Sequence, residues 1–106
     1  MDERTFETLA GQTLAMIAER LEDALVDGAD VELRGGILTI TCEDGGQFVL
    51  NKHAPSRELW LSSPVSGATH FARRGDEWVS TRGPDILAAR LAADIEARTG
   101  TRVALG

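Results

Sequence analysis

The chain has a single cysteine, Cys42, among 106 residues. One thiol excludes an internal disulfide framework and cannot by itself hold zinc or an iron–sulfur cluster. It is compatible with a reducing compartment, and Cys42 reads as a small residue within a strand. No apolar run approaches the roughly 18 residues that a membrane span requires. A phosphate-cradling glycine loop, a nucleophile elbow and a helical His-Glu metal motif are all missing, so an enzyme is not expected. Positive charge is scarce at the start. Residues 1–32 hold nine acids and only two bases, a net of −7, whereas residues 33–106 net +1. That imbalance argues against a nucleic-acid partner, whose phosphates need a basic footprint, and for cations or a basic protein surface.

What remains is an ordinary globular composition, 42% hydrophobic and 26% charged, long enough for one domain with one small core over residues 1–106. Residues 3–26 carry Phe6, Leu9, Ala10, Thr13, Ile17, Leu21, Ala24 and Leu25 at three- and four-residue spacing, which predicts an amphipathic helix. Asp2, Glu3 and Glu7 stand where the helix dipole favours negative charge, and Gly28 suits a left-handed cap beyond its end. Six short strands are expected next: 31–34, 37–42, 47–52, 58–62, 69–73 and 77–80, with Asp44-Gly45 as a hairpin signal. Gly83-Pro84-Asp85 opens a second helix over 84–99, and Gly100 stops it. The tail, Thr101–Gly106, either lies along the helices or frays. Helix, sequential hairpins and helix predict an α+β fold: a two-layer sandwich with both helices on one face of an antiparallel sheet.

The stretch from Phe48 to Pro64 sets the rest in order. Phe48, Leu50, Leu59 and Leu61 alternate with Val49, Asn51, Glu58, Trp60 and Ser62 across a turn at Ala54-Pro55-Ser56. With the leucines inward, Trp60 stands among polar groups on the open face, a candidate recognition surface. A tryptophan on a sheet also packs under loops, and alternation alone leaves both readings open. Trp78 reads as a packing residue. His53 and His70 are either ligands or pH-sensitive contacts, or ordinary surface residues. Lys52, Arg57, Arg73 and Arg74 offer positive charge near the sheet, or are simply solvated. Ser62-Ser63 beside a proline is a loop feature.

The acids of the first third form the second candidate site. Glu19, Asp23 and Asp27 are four apart with Glu22 adjacent, and so are expected on one helical face. Like charges at that spacing cost about 0.2–0.5 kcal/mol per pair, and the helix C-terminal half disfavours acids further. A pattern that breaks local rules suggests function. Carboxylate oxygens suit hard cations, bound weakly where no cage closes around them. A solvated face that only aids solubility accounts for the same pattern.

Gly35-Gly36-Ile37-Leu38-Thr39-Ile40, Asn51-Lys52, Leu59-Trp60-Leu61-Ser62-Ser63-Pro64-Val65-Ser66-Gly67 and Gly75-Asp76-Glu77-Trp78 resemble the frataxin family, whose bacterial members are the CyaY proteins. The resemblance spans roughly residues 3–99. It implies an α/β sandwich that binds iron (Fe²⁺ or Fe³⁺) weakly through carboxylates of the first helix and first strand. It also implies association with the cysteine desulfurase and the scaffold protein that build iron–sulfur clusters. By position, Glu19, Glu22, Asp23, Asp27, Asp30 and Glu32 fall in the acidic ridge, with Glu3 and Glu7 as further candidate metal ligands. Asn51 and Trp60 match the partner-contacting surface, with Lys52, Glu58, Ser62 and His70 added to it. His53 and Glu58 stand where many relatives carry glutamine or other uncharged residues, and His70 where eukaryotic members have arginine.

Two functions follow from the resemblance. One is an accessory protein that docks on the assembly machinery and modulates it. The alternative is an iron chaperone or store that delivers or oxidises Fe²⁺ itself. Met1-Asp2-Glu3-Arg4 has neither a secretion signal's basic start nor the look of a transit peptide. A bacterial cytoplasmic monomer is expected, a processed mitochondrial form being the alternative.

Overall fold

The computed structural model describes all 106 residues. Its elements follow in the order α1 (Glu3–Ala24), β1 (Ala29–Arg34), β2 (Ile37–Cys42), β3 (Gln47–His53), a short 3₁₀ turn (Ala54–Ser56), β4 (Glu58–Ser63), β5 (Gly67–Arg74), β6 (Glu77–Ser80) and α2 (Leu87–Thr99). The six strands form one antiparallel sheet in sequence order. Each connection is therefore a hairpin, the shortest link between antiparallel neighbours. Both helices cover one face, as the hydrophobic periodicities predict.

The core lies between the layers. Phe6, Ala10, Leu14, Ile17 and Leu21 from α1 meet Leu38, Ile40, Phe48, Leu50, Leu59, Leu61 and Phe71 from the sheet, and Leu87, Leu91 and Ile95 from α2. Leu14 rather than Thr13 occupies the centre of the α1 stripe, and Ala24 is exposed. Thr13 stands at the stripe's edge, where its hydroxyl accepts the indole N–H of buried Trp78 at 2.9 Å. Phe6 meets Trp78 edge-to-face at 6.1 Å, and the Arg73 guanidinium lies 5.5 Å over its ring. Trp78 is thus a packing residue, as read. The tail lies down against the helices: Val103 and Leu105 are buried, and the Ala104 carbonyl accepts from Arg20.

Helix ends depart from expectation in two places. At α1, Asp2 caps the first turn by accepting the Thr5 N–H at 2.8 Å. The C-terminus comes at Ala24, with Leu25 as the cap, and Gly28 is not left-handed. Leu25 is drawn into the core, which turns the chain off the helix axis before the glycine is reached. At α2, the Gly83-Pro84-Asp85 signal lies outside the helix, which starts at Leu87. A bridge between Val79 and Ile86, with the Ser80 N–H donating to the Asp85 carbonyl, keeps this segment extended. Gly100 ends α2 in the left-handed conformation, where glycine carries no Cβ penalty.

Ser63 is not a loop residue. It ends β4, is buried, and donates its hydroxyl to the Asp94 carboxylate at 2.8 Å. Ser66 donates to the same carboxylate, and Arg90 reaches it from one turn earlier in α2. Asp94 thereby ties the β4–β5 turn to the helix layer, beneath the strand that carries Trp60.

Candidate functional site

Strand alternation sends Phe48, Leu50, Leu59, Leu61 and Phe71 into the core and their neighbours to the uncovered face. On that face Arg34, Ile37, Asn51, Trp60 and His70 stand in one row across five strands. A parallel row holds Glu32, Thr39, Val49 and Ser62, and another pairs His53 with Glu58.

Trp60 sits at the centre, half-buried by its neighbours rather than by the helices. Its indole is sandwiched between two imidazoles. His53 stacks on one side at 3.8 Å between centroids and 12°, and His70 on the other at 4.1 Å and 6°. Glu58 secures the stack by accepting the Trp60 N–H at 2.9 Å and approaching His70 Nδ1 at 3.7 Å. On the far side, His53 Nδ1 lies 2.7 Å from the Ser56 hydroxyl. Three rings drawn from β3, β4 and β5 form one rigid ridge. Part of this was unreadable in the sequence, because the three residues are 7 and 10 positions apart and only the strand register brings them together.

Lys52 does not belong to this face. It has the parity of Leu50, points toward the helices and forms an ion pair with Glu7 of α1. Period-two alternation places it there, whatever its position beside Asn51 suggests. Glu7 is thereby neutralised by Lys52. Glu3 lies in the first turn of α1, about 24 Å along the helix from Glu19 at 1.5 Å per residue. Neither acid joins the others.

The ridge itself is built from two elements. Glu19, Glu22 and Asp23 are exposed on the last turns of α1, and Asp30 and Glu32 on β1, the edge strand against which α1 packs. Asp27 is not on the helix, since α1 has already ended. It stands in the turn between them, beside a shallow hollow also lined by Asp30 and Glu43. Glu32 is partly engaged by Arg34 at 3.5 Å. No three acids or imidazoles converge into a metal cage anywhere in the molecule. The donor set therefore fits a hard cation held by one or two carboxylates and completed by water.

Cys42 is buried, and burial pushes its thiol up, with Asp44 adding to the shift. A protonated thiol is a poor nucleophile and a poor ligand. A hollow of about 420 Å³ between α1, β6 and the tail lies on the helix side and is lined by Leu9, Met16, Trp78 and Leu105. It brings no reactive constellation together.

A family model for the frataxin-like domain matches residues 1–101. The chain belongs to the frataxin family. Solved structures agree. A frataxin of the CyaY protein family from Psychromonas ingrahamii superposes with a TM-score of 0.91 over 100% of this chain and 99% of that one, at 24% identity, which speaks to the fold. Trimeric frataxin from the yeast Saccharomyces cerevisiae, complexed with ferrous iron, is 33% identical, with a TM-score of 0.75 over 87% of this chain and 86% of that one. A further yeast frataxin structure, also 33% identical, gives 0.72 over 88% and 79%. In this frataxin the resemblance read from Trp60-Leu61-Ser62-Ser63-Pro64 thus holds for family and fold.

Proposed function

We propose that this frataxin is an iron-binding accessory protein of iron–sulfur cluster assembly. It docks on the cysteine desulfurase and the scaffold protein through its open sheet face and modulates their turnover. The observation that carries the reading is the Trp60 ridge: a large aromatic held rigid on an uncovered face. Such anchors dominate binding energy because little side-chain entropy is lost on docking. The ridge of Glu19, Glu22, Asp23, Asp27, Asp30 and Glu32 supports the second half. Open carboxylates bind Fe²⁺ or Fe³⁺ weakly and select poorly among divalent metals. The same charge suits a basic patch on a partner. The compartment proposed is the bacterial cytoplasm.

The test is a cluster-assembly assay with the desulfurase and scaffold, with and without this protein, over a range of iron concentrations. Modulation that survives in wild type and is lost in Trp60→Ala, with iron binding retained by calorimetry, supports docking. Unchanged modulation by Trp60→Ala counts against it. The yeast relative's ferrous complex favours a second reading, an iron chaperone or store. Under that reading, neutralising Glu19, Glu22, Asp23 and Asp27 removes iron binding and activity together, and Trp60→Ala removes neither.

A further inference from the structure

The indole of Trp60 stands on the open side of the sheet, yet neither of its faces is open. His53 covers one at 3.8 Å between centroids and 12°, and His70 the other at 4.1 Å and 6°. Strand register accounts for the pair. His70 lies directly opposite Trp60 on β5, and His53 lies on the diagonal across β3, two residues beyond the paired Asn51. Both positions are within reach of an aromatic ring on a sheet. The one polar atom of the indole is also committed, since its N–H donates to Glu58 at 2.9 Å. Each imidazole is held in turn. His53 Nδ1 lies 2.7 Å from the Ser56 hydroxyl, and His70 Nδ1 lies 3.7 Å from the same Glu58 carboxylate.

Trp60 therefore withholds what a tryptophan ordinarily offers a partner. Cation–π attraction needs a guanidinium or ammonium above a ring face, within about 6 Å of its centroid. Offset stacking needs an aromatic ring over the same face. Imidazoles fill both places. What the ridge presents to solvent is its rim, the C–H edges of three stacked rings. Apolar side chains continue that rim across the sheet. Val49 lies diagonal to Trp60 on β3 and is half-buried. Ile37 lies two strands away in the Trp60 row and is 46% exposed.

We propose that His53 and His70 set the specificity of this docking surface. By closing both faces of the indole, they bar a partner that would stack an arginine or an aromatic side chain on Trp60. They admit one that receives the three-ring rim in a slot of aliphatic side chains, which also covers Val49 and Ile37. Specificity is a difference of affinities, and the imidazoles supply the part that rejects. This inference rests on the docking reading above and is tested apart from it.

The probe is N-methylpyridinium, a flat aromatic cation that pairs with an indole face-on. Its titration into the full chain is followed at the indole N–H signals of Trp60 and Trp78 by ¹H–¹⁵N NMR. Wild type is expected to show no saturable shift at Trp60. His53→Ala/His70→Ala, with both faces uncovered, is expected to show one. His53→Phe/His70→Phe, which closes the faces again without imidazole, is expected to behave as wild type. The Trp78 indole, buried and bonded to Thr13, reports an intact fold throughout. Against immobilised scaffold and desulfurase, the double alanine variant is expected to bind about tenfold more weakly, the loss of two aromatic pairs. The double phenylalanine variant is expected to stay within about twofold of wild type, since it keeps both pairs. A saturable shift of the Trp60 signal in wild type overturns the proposal. Equal loss of docking by the alanine and phenylalanine variants overturns it too, because the partner would then be reading the imidazole nitrogens. If Trp60→Ala loses docking while the double alanine variant keeps it, this inference falls and the docking reading stands. If Trp60→Ala docks as wild type does, the docking reading falls and takes this inference with it.

Discussion

Replacing Asp94 by alanine unties the β4–β5 turn from α2. Its carboxylate is 3% exposed and accepts from the Ser63 and Ser66 hydroxyls, with Arg90 at 3.5 Å. Hydrogen bonds to a charged acceptor contribute about 1.5–3 kcal/mol each. Part of that survives in the variant. The Ser63 oxygen still accepts the Val65 and Ser66 N–H groups, and Arg90 still has Asp85. A loss of about 3 kcal/mol is expected, a large fraction of the roughly 5–15 kcal/mol that holds a domain folded. Asp94→Asn keeps the shape and one acceptor oxygen and is expected to cost roughly 1 kcal/mol. Urea unfolding checks both. With a slope of about 1.5 kcal/mol/M, Asp94→Ala lowers the midpoint by roughly 2 M at unchanged slope. A loss below about 1 kcal/mol for the alanine variant refutes the view that this carboxylate anchors the turn.

Arg57 holds a left-handed backbone, φ 57°, and its buried Nε has no partner. Arg57→Gly is therefore expected to stay within about 1 kcal/mol of wild type, whereas Arg57→Val, β-branched in that region, loses more than about 2 kcal/mol in the same unfolding assay. Glu19→Gln removes like-charge repulsion with Asp23 and an acid near a helix C-terminus. It is expected to raise stability by about 0.2–0.5 kcal/mol while weakening iron binding by calorimetry. The Asp44 carboxyl is held below its usual range by the Gly46 N–H and then by Arg98, 2.9 Å away. A depressed carboxyl stabilises the fold above its ordinary value of 3.8, and the contribution is lost as pH falls through the lower folded value. The midpoint difference between wild type and Asp44→Asn is thus expected at neutral pH and should vanish in strong acid.

Family and layer order were legible because each rests on local signals. Period-two runs gave the strands, three- and four-residue spacing gave the helices, and Asp44-Gly45 gave a hairpin. Helix ends were misjudged where tertiary contacts overrode capping chemistry. Burial of Leu25 ended α1 early, and the Val79–Ile86 bridge delayed α2 past Pro84. The candidate site was half legible. Alternation alone placed Asn51, Glu58, Trp60 and Ser62 on the open face, and His70 joined them only through the family resemblance. It also placed Lys52 on the other, a consequence obscured by its position next to Asn51. The His53–Trp60–His70 stack needed the register of three strands, and the Asp94 anchor needed a contact 31 residues away in sequence.

The most direct test of the account is the rate of cluster synthesis by desulfurase and scaffold in the presence of Trp60→Ala, with iron binding measured on the same preparation. The account predicts that modulation disappears while iron still binds. Wild-type modulation by a folded Trp60→Ala variant contradicts it.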